Sequence, residues 1–187
     1  MSVPRPVDGL PVIALPDEAA MVRLGAALAA ALRGGEYVAL RGPLGAGKTT
    51  LTRALLRAAG HAGPVRSPTF TLVEPYALAA YALLHLDLYR LGDAEELEML
   101  GVRERFGEAV VVIEWPECGA GWLPPADIEL ALDFAAEGRA LTVRAGAAGA
   151  HLAAALSAAA EAITGAGSAV TVTGGSAGTA IAGDLRR

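Results

Sequence analysis

Tyr37 to Gly60 reads YVALRGPLGAGKTTLTRALLRAAG. Tyr37–Arg41 is a short apolar run that predicts a buried strand. Gly42–Thr49 matches G-x-x-x-x-G-K-[ST], the pattern of a phosphate-binding loop. From Thr50 to Ala59 the spacing predicts a helix, with Leu51, Leu55 and Leu56 on one face and Gly60 as its stop. Strand, loop and helix in that order are the context such a loop requires.

The residue types have a direct physical reason. A triphosphate is a dense cluster of negative charge, and holding it takes several backbone N–H donors converging on one point. Side chains would block the approach. Gly42, Gly45 and Gly47 clear that space and tolerate unusual backbone angles. The helix behind the loop aims the positive end of its dipole at the phosphates. Lys48 adds a full charge, and the Thr49 hydroxyl can ligate Mg²⁺. Lys48 is also the one lysine among 15 basic residues. A chain so averse to lysine keeps one where a compact ammonium on a flexible stem suits a phosphate.

A length of 187 residues predicts one domain with a sizeable core. No apolar run approaches the ~18 residues of a transmembrane helix. The opening MSVPRPVDGLPVIALPDE lacks a long apolar stretch and carries acids early, which speaks against a signal peptide. The single cysteine, Cys118, excludes an internal disulfide and a multi-cysteine metal site, and is expected as a partly buried small side chain. A net charge of −5 argues against this chain gripping nucleic acid alone through a basic face. The expectation is a soluble cytoplasmic protein with no membrane association.

Around the loop, residues 1–11 read as a loose Pro-rich arm and Val12–Leu15 as a short strand. Asp17 is a good N-cap for a helix from Glu18 to about Leu32, closed by Gly34 and Gly35, with Met21, Leu24, Leu28 and Leu32 packing on a sheet. Ser67-Pro68 marks a turn within Val65–Val73, the rest of which reads as a strand. Ala82–Leu91 alternates: Leu84, Leu86 and Leu88 face one way, His85, Asp87 and Tyr89 the other, so that second face either borders solvent or lines a site. Two short helices are expected over Gly92–Gly107, and the acids of 93–108 read as a solvated or partner-docking face. Ala109–Glu114 reads as a central buried strand. Ile128–Asp133 and Ala140–Val143 predict two last strands, paired antiparallel. An alanine-rich helix is suggested over 150–163. Residues 165–187 have little to bury and read as a disordered tail, which sets a domain over 12–147 and a tail over 148–187.

A Mg-nucleotide site needs a second carboxylate at the end of a buried strand, and Glu114 stands there. Something must also orient water and sense the terminal phosphate: Thr69 is placed like a switch threonine, and Asp87 is the candidate general base or water-positioning group. The chain contains no asparagine and no glutamine. A guanine-reading Asn-Lys-x-Asp motif and a catalytic glutamine are therefore excluded, which favours ATP over GTP.

GPLGAGKTT (Gly42–Thr50), SPTFTLV (Ser67–Val73), HLDLYR (His85–Arg90) and IEWPE (Ile113–Glu117), in this order and spacing, resemble the TsaE family. That family is the ATPase subunit of the bacterial machinery that makes threonylcarbamoyladenosine in tRNA, and the resemblance covers about Leu15 to Val143. It implies an α/β fold, a P-loop NTPase-like three-layer sandwich with a mixed parallel/antiparallel sheet. It implies a slow ATPase that works with TsaD and TsaB and reaches tRNA only through that complex. Gly42, Pro43, Leu44, Gly45, Ala46, Gly47, Lys48, Thr49 and Thr50 would hold ATP, with Trp115 beside it. Thr49 and Glu114 would hold Mg²⁺, while Lys48, Thr69 and Asp87 would carry the catalytic roles. Pro43 departs from the family's usual acidic residue and removes one N–H from the loop.

Two other readings stay open at the level of sequence. A small-molecule kinase could clamp its acceptor with Arg66, Arg90, Arg103 and Arg105, although no glycine-flanked, arginine-bearing lid is evident. A non-catalytic nucleotide-gated adaptor could use the acidic 93–108 surface.

Overall fold

The computed structural model describes residues 12–93 and 95–164; the arm expected over 1–11 and the tail expected over 165–187 lie outside them. The elements run β1 (Val12–Leu15), α1 (Glu18–Ala31), β2 (Tyr37–Arg41), α2 (Lys48–Ala58), β3 (Val73–Ala77), β4 (Ala82–Asp87), α3 (Glu96–Met99), β5 (Val110–Glu114), β6 (Ile128–Phe134), β7 (Arg139–Ala145) and α4 (Ala150–Thr164). Single 3₁₀ turns lie at Arg103–Arg105 and Pro116–Gly119.

The strands form one sheet in the order β1-β7-β6-β2-β5-β4-β3. β4, β5, β2 and β6 run parallel, and antiparallel strands close both edges. The mixed α/β sandwich expected from the sequence is borne out, including the antiparallel β6–β7 pair. β5 is buried along its whole length, as its β-branched run VVVIE suits. One face of the sheet packs against α1, α2 and α4 in a core that includes Leu24, Leu28, Leu51, Leu55, Val110, Val112, Leu152 and Leu156. The other face holds a smaller core, Tyr37, Ala39, Leu86, Leu88, Val111 and Ile113, covered by Leu97, Val102 and the loop aromatics Phe106, Trp115 and Trp122. Among the described residues, no helix is long and apolar enough to cross a membrane.

Asp17 caps α1 as expected, its Oδ1 accepting the Ala20 N–H at 2.7 Å. Several boundaries differ from the sequence reading. α2 starts at Lys48, two residues before the expected Thr50, because Gly47 (φ 108°) makes the turn that caps it. β4 ends at Asp87 rather than Leu91. The segment up to Leu72 is not a strand. Leu72 turns into the left-handed region (φ 62°), its N–H bonds the Pro68 carbonyl at 2.7 Å, and its own carbonyl accepts the Asp87 N–H at 3.2 Å. Pairing therefore begins only at Val73, and β3 tolerates Pro75 because it is an edge strand. Helix α4 buries Leu152, Ala153 and Leu156 in the core shared with α1. The folded core thus extends past residue 147, since alanines with a few leucines make an adequate apolar face. Cys118, expected partly buried, is exposed on the turn after β5.

Candidate functional site

Parallel pairing places the site. Asp87 ends β4 and Glu114 ends β5, directly opposite each other in register, while Leu40 of β2 pairs with Glu114 on its other side. With a side-chain period of two, Glu114, Asp87 and His85 all project to the α1–α2 face, where the loop 42–47 emerges from β2. The alternation of β4 thus lines a site rather than bordering solvent: His85 is fully buried and Asp87 nearly so, although Tyr89 beyond the strand is half exposed.

The loop's shape depends on glycine. Gly42 has φ 131°, and a Cβ there would stand 2.0 Å from the Leu132 carbonyl oxygen of β6. Gly47 has φ 108°, which frees the first N–H groups of α2 to point into the loop. Pro43, lacking an N–H, uses its carbonyl instead, accepting from Ala46 N–H at 3.2 Å and Lys48 Nζ at 3.0 Å.

Lys48 is 4% exposed. Its Nζ donates to the Gly42 carbonyl at 2.6 Å and lies 3.9 Å from the centroid of the Trp115 ring. Burial pulls its pKa below the ordinary lysine value, opposed by the charges of Glu114, Asp87 and Glu117. Trp115 reaches Lys48 because it adopts left-handed backbone angles (φ 59°, ψ 48°), a strain of about 1–3 kcal/mol that persists where surrounding structure imposes it. Its N–H is fixed to the Leu40 carbonyl at 3.1 Å, and Tyr89 packs on its ring at 4.9 Å.

Two small clusters sit at the loop's mouth, on neighbouring strands. In the first, Thr49 Oγ1 donates to Glu114 Oε2 at 3.0 Å, and His85 Nε2 lies 2.8 Å from Glu114 Oε1. In the second, Asp87 Oδ2 accepts from Thr69 Oγ1 at 2.6 Å, Ser67 Oγ lies 2.7 Å from Thr69 Oγ1, and Asp87 Oδ1 accepts the Tyr89 N–H at 3.1 Å. Together with Leu44, Gly45, Gly47, Lys48, Thr50 and Trp115, these residues, apart from the buried His85, line a cavity of about 220 Å³. Among the described residues, no group of three or more His, Cys, Asp or Glu side chains could cage a metal. The pair of one hydroxyl and one carboxylate instead fits Mg²⁺, which takes one or two protein oxygens and completes its shell with phosphates and water.

Every residue expected at the site reaches it or belongs to its loop: Lys48, Thr49, Thr50, Thr69, Asp87, Glu114 and Trp115 line the cavity or its rim. Three further residues take part in the site. His85 holds Glu114, Ser67 joins Thr69, and Tyr89 supports Trp115. His85 had a signal, since alternation put it on the face of Asp87; Ser67 had none beyond its Ser-Pro turn. Cys118, although exposed, is no activated nucleophile: desolvation by its surroundings, then the charges of Glu117 and Asp87, push its thiol up. Of the arginines considered as a kinase clamp, Arg90 stacks on Phe70 and Arg103 on Trp122, and none of the four lines the cavity.

Comparison with known proteins finds relatives of this chain. The family model described as TsaE, threonylcarbamoyl adenosine biosynthesis protein, matches residues 15–141. The tRNA threonylcarbamoyladenosine biosynthesis protein TsaE of Haemophilus influenzae is 48% identical over 126 residues, 64% of this chain and 80% of that protein. Its namesake in Aquifex aeolicus is 38% identical over 129 residues, 68% of this chain and 90% of that protein. The crystal structure of Bacillus subtilis YdiB superposes with a TM-score of 0.64 at 27% identity, covering 76% of this chain and 90% of that one.

Proposed function

This chain belongs to the TsaE family of tRNA threonylcarbamoyladenosine biosynthesis proteins, and from that premise we propose that it serves the pathway as a Mg²⁺-dependent ATPase. The observation that carries the reading is the convergence of the loop with the Thr49–Glu114 and Thr69–Asp87 pairs around one cavity. Lys48 and the N–H groups of the loop and of α2 bind the phosphates. Thr49 and Glu114 hold Mg²⁺, which when bound neutralises charge on the phosphate oxygens. Asp87, held by Thr69, orients water and accepts its proton. Trp115 walls the phosphate end and limits water. The acidic segment does not favour the adaptor reading, because part of it serves local capping: the Asp93 N–H donates to Glu96 and Asp93 itself accepts the Glu95 N–H.

The partners of this reading are TsaD and TsaB, tRNA is reached through them, and the compartment is the cytoplasm. The ATPase body comprises the sheet and its helices. The test is the ATPase rate of the chain alone and with TsaB plus TsaD, scored beside threonylcarbamoyladenosine formation. The expected result is a slow basal rate that rises with the partners and tracks product, with phosphate released to water. Lys48→Ala removes both signals. No coupling between turnover and product would overturn the reading, and phosphate appearing on a metabolite would replace it with the kinase.

A further inference from the structure

Trp115 reaches Lys48 from a left-handed backbone, a conformation that the surrounding structure must impose. One anchor is the bond from its own N–H to the Leu40 carbonyl of β2. The turn that follows, Pro116–Gly119, is closed by local bonds. The Cys118 N–H donates to the Trp115 carbonyl at 3.0 Å, and the Ala120 N–H to the Glu117 carbonyl at 3.3 Å. Those bonds shape the turn. What ties it to the rest of the molecule is the burial of Pro116 and Gly119 and one polar side chain. Glu117 Oε2 accepts from Arg41 Nη1 at 3.0 Å, and Arg41 Nε donates to Glu129 Oε2 of β6 at 2.7 Å.

Strand β2 places Arg41 for both contacts. It is the last residue of the strand, with its side chain on the face of Tyr37 and Ala39, the face on which Trp115 packs. It stands opposite Ala131 of β6, so Glu129, two residues back, shares that face. A planar guanidinium offers donors in two directions and serves both carboxylates at once; the compact ammonium of a lysine does not span them in the same way. Arg41 also directly precedes Gly42, the first residue of the phosphate loop. The loop and the turn that carries Trp115 are thus held to one point. Charge adds a second reason for the contact. Glu117 lies close enough to Lys48 for its charge to be felt there, and an unpaired acid so placed repels a phosphate chain; the guanidinium offsets it.

We propose that Arg41 is a positioning residue for the nucleotide site: through Glu117 and Glu129 it fixes the turn that holds Trp115 over Lys48. It does not line the cavity and acts through that tryptophan. The proposal rests on the Mg-nucleotide reading of the cavity and adds to it a support from outside the cavity wall.

The experiment takes three readings on the full chain: thermal unfolding, calorimetric titration with Mg-ATP, and acrylamide quenching of Trp115 without nucleotide. The chain has two tryptophans, so the quenching arm uses a Trp122→Phe background in which Trp115 alone emits; the other two arms use the wild-type background. Half-exposed ion pairs correspond to a factor of roughly 1.5 to 5 each, so losing two weakens ATP binding by roughly 2- to 25-fold. Arg41→Ala shows that weakening together with stronger quenching of Trp115. Arg41→Lys stays weakened. Glu117→Ala moves both readings in the same direction, and the Arg41→Ala/Glu117→Ala pair falls no further than Arg41→Ala, because both act through one contact. Unchanged quenching in Arg41→Ala overturns the proposal whatever the affinity does. A fall in Tm alone also overturns it, since Arg41 would then only tie β2 to β6, and so do additive losses in the double variant. If wild type does not bind Mg-ATP, the nucleotide reading itself fails and the role of Arg41 with it; that outcome is visible before any variant is made.

Discussion

Replacing His85 by leucine separates a carboxylate that is held from one that is merely nearby. His85 is wholly buried, with Nε2 2.8 Å from Glu114 Oε1, while Thr49 occupies Glu114 Oε2 at 3.0 Å. One tautomer is enough for the bond: Nε2 carries the proton, and Nδ1, which has no hydrogen-bond partner, is left as a bare acceptor. Leucine roughly preserves volume and removes the donor. A hydrogen bond to a charged group contributes about 1.5–3 kcal/mol, and the loss is felt most where water cannot replace the partner. At about 2–4 °C per kcal/mol for a chain of this size, Tm falls by roughly 3–12 °C. Glu114 is also freed to turn, so the Mg²⁺ concentration needed for half-maximal ATP binding rises. His85→Gln puts an amide donor near the position of Nε2 and regains most of both losses. Thermal unfolding and Mg²⁺-dependent ATP titrations of the three proteins check this. A leucine variant that matches wild type in both assays would refute the reasoning, as would glutamine and leucine variants that fall equally far.

Asp87→Asn keeps its bond from Thr69 and its steric size but cannot take a proton, so hydrolysis falls by about 10²–10⁴-fold with ATP binding retained; phosphate release and calorimetry would contradict this if binding fell by the same factor. Gly42→Ala puts a Cβ 2.0 Å from the Leu132 oxygen at φ 131°, so both nucleotide binding and thermal stability drop; a variant with native Tm would sink the claim that β6 and the loop are locked together. Burial lowers the Lys48 ammonium below its usual 10.5, so between that lowered value and 10.5 the unfolded chain binds the extra proton. Wild type therefore gains stability relative to Lys48→Met as pH rises through this window. Urea unfolding of both proteins at about pH 7 and about pH 10 tests the sign, and a gap that stays constant or shrinks in wild type's disfavour goes against it.

How far these residues could be read before any coordinates depended on where their information lies. The phosphate loop is local: three glycines, a lysine and a threonine lie within one turn, and only the start of the helix behind it differs, at Lys48 instead of Thr50. β5 was equally plain, because the β-branched run VVVIE suits a fully buried strand. β4 was half legible. Its alternation placed His85 with Asp87, but the partner that gives His85 a role, Glu114, lies 29 residues away and is brought to it by strand pairing. The segment before β3 misled for the same reason. Thr69–Val73 is β-prone by composition, yet the Leu72 carbonyl is claimed by Asp87 from across the chain, and tertiary pairing outweighs the local preference. Helix α4 was legible as a helix and not as core, since a run of alanines does not announce what it packs on.

Phe134 and Arg139, stacked beside the phosphate loop, mark the limit of sequence reading. Between β6 and β7 the chain reads DFAAEGR, an ordinary hairpin with Gly138 in the turn. What gives the pair its place is the contact between the Gly42 backbone and Leu132, 90 positions apart, which carries the hairpin's first residue to the loop's flank. A slip of one residue in the β2–β6 pairing, in which Leu40 faces Leu130, would turn Phe134 to the other face of the sheet. The register is held because Val38 and Leu40 of β2 and Ile128, Leu130 and Leu132 of β6 all belong to the core beneath α1 and α2. The packing of apolar side chains thus places the aromatic ring, through the same register that makes the fold stable.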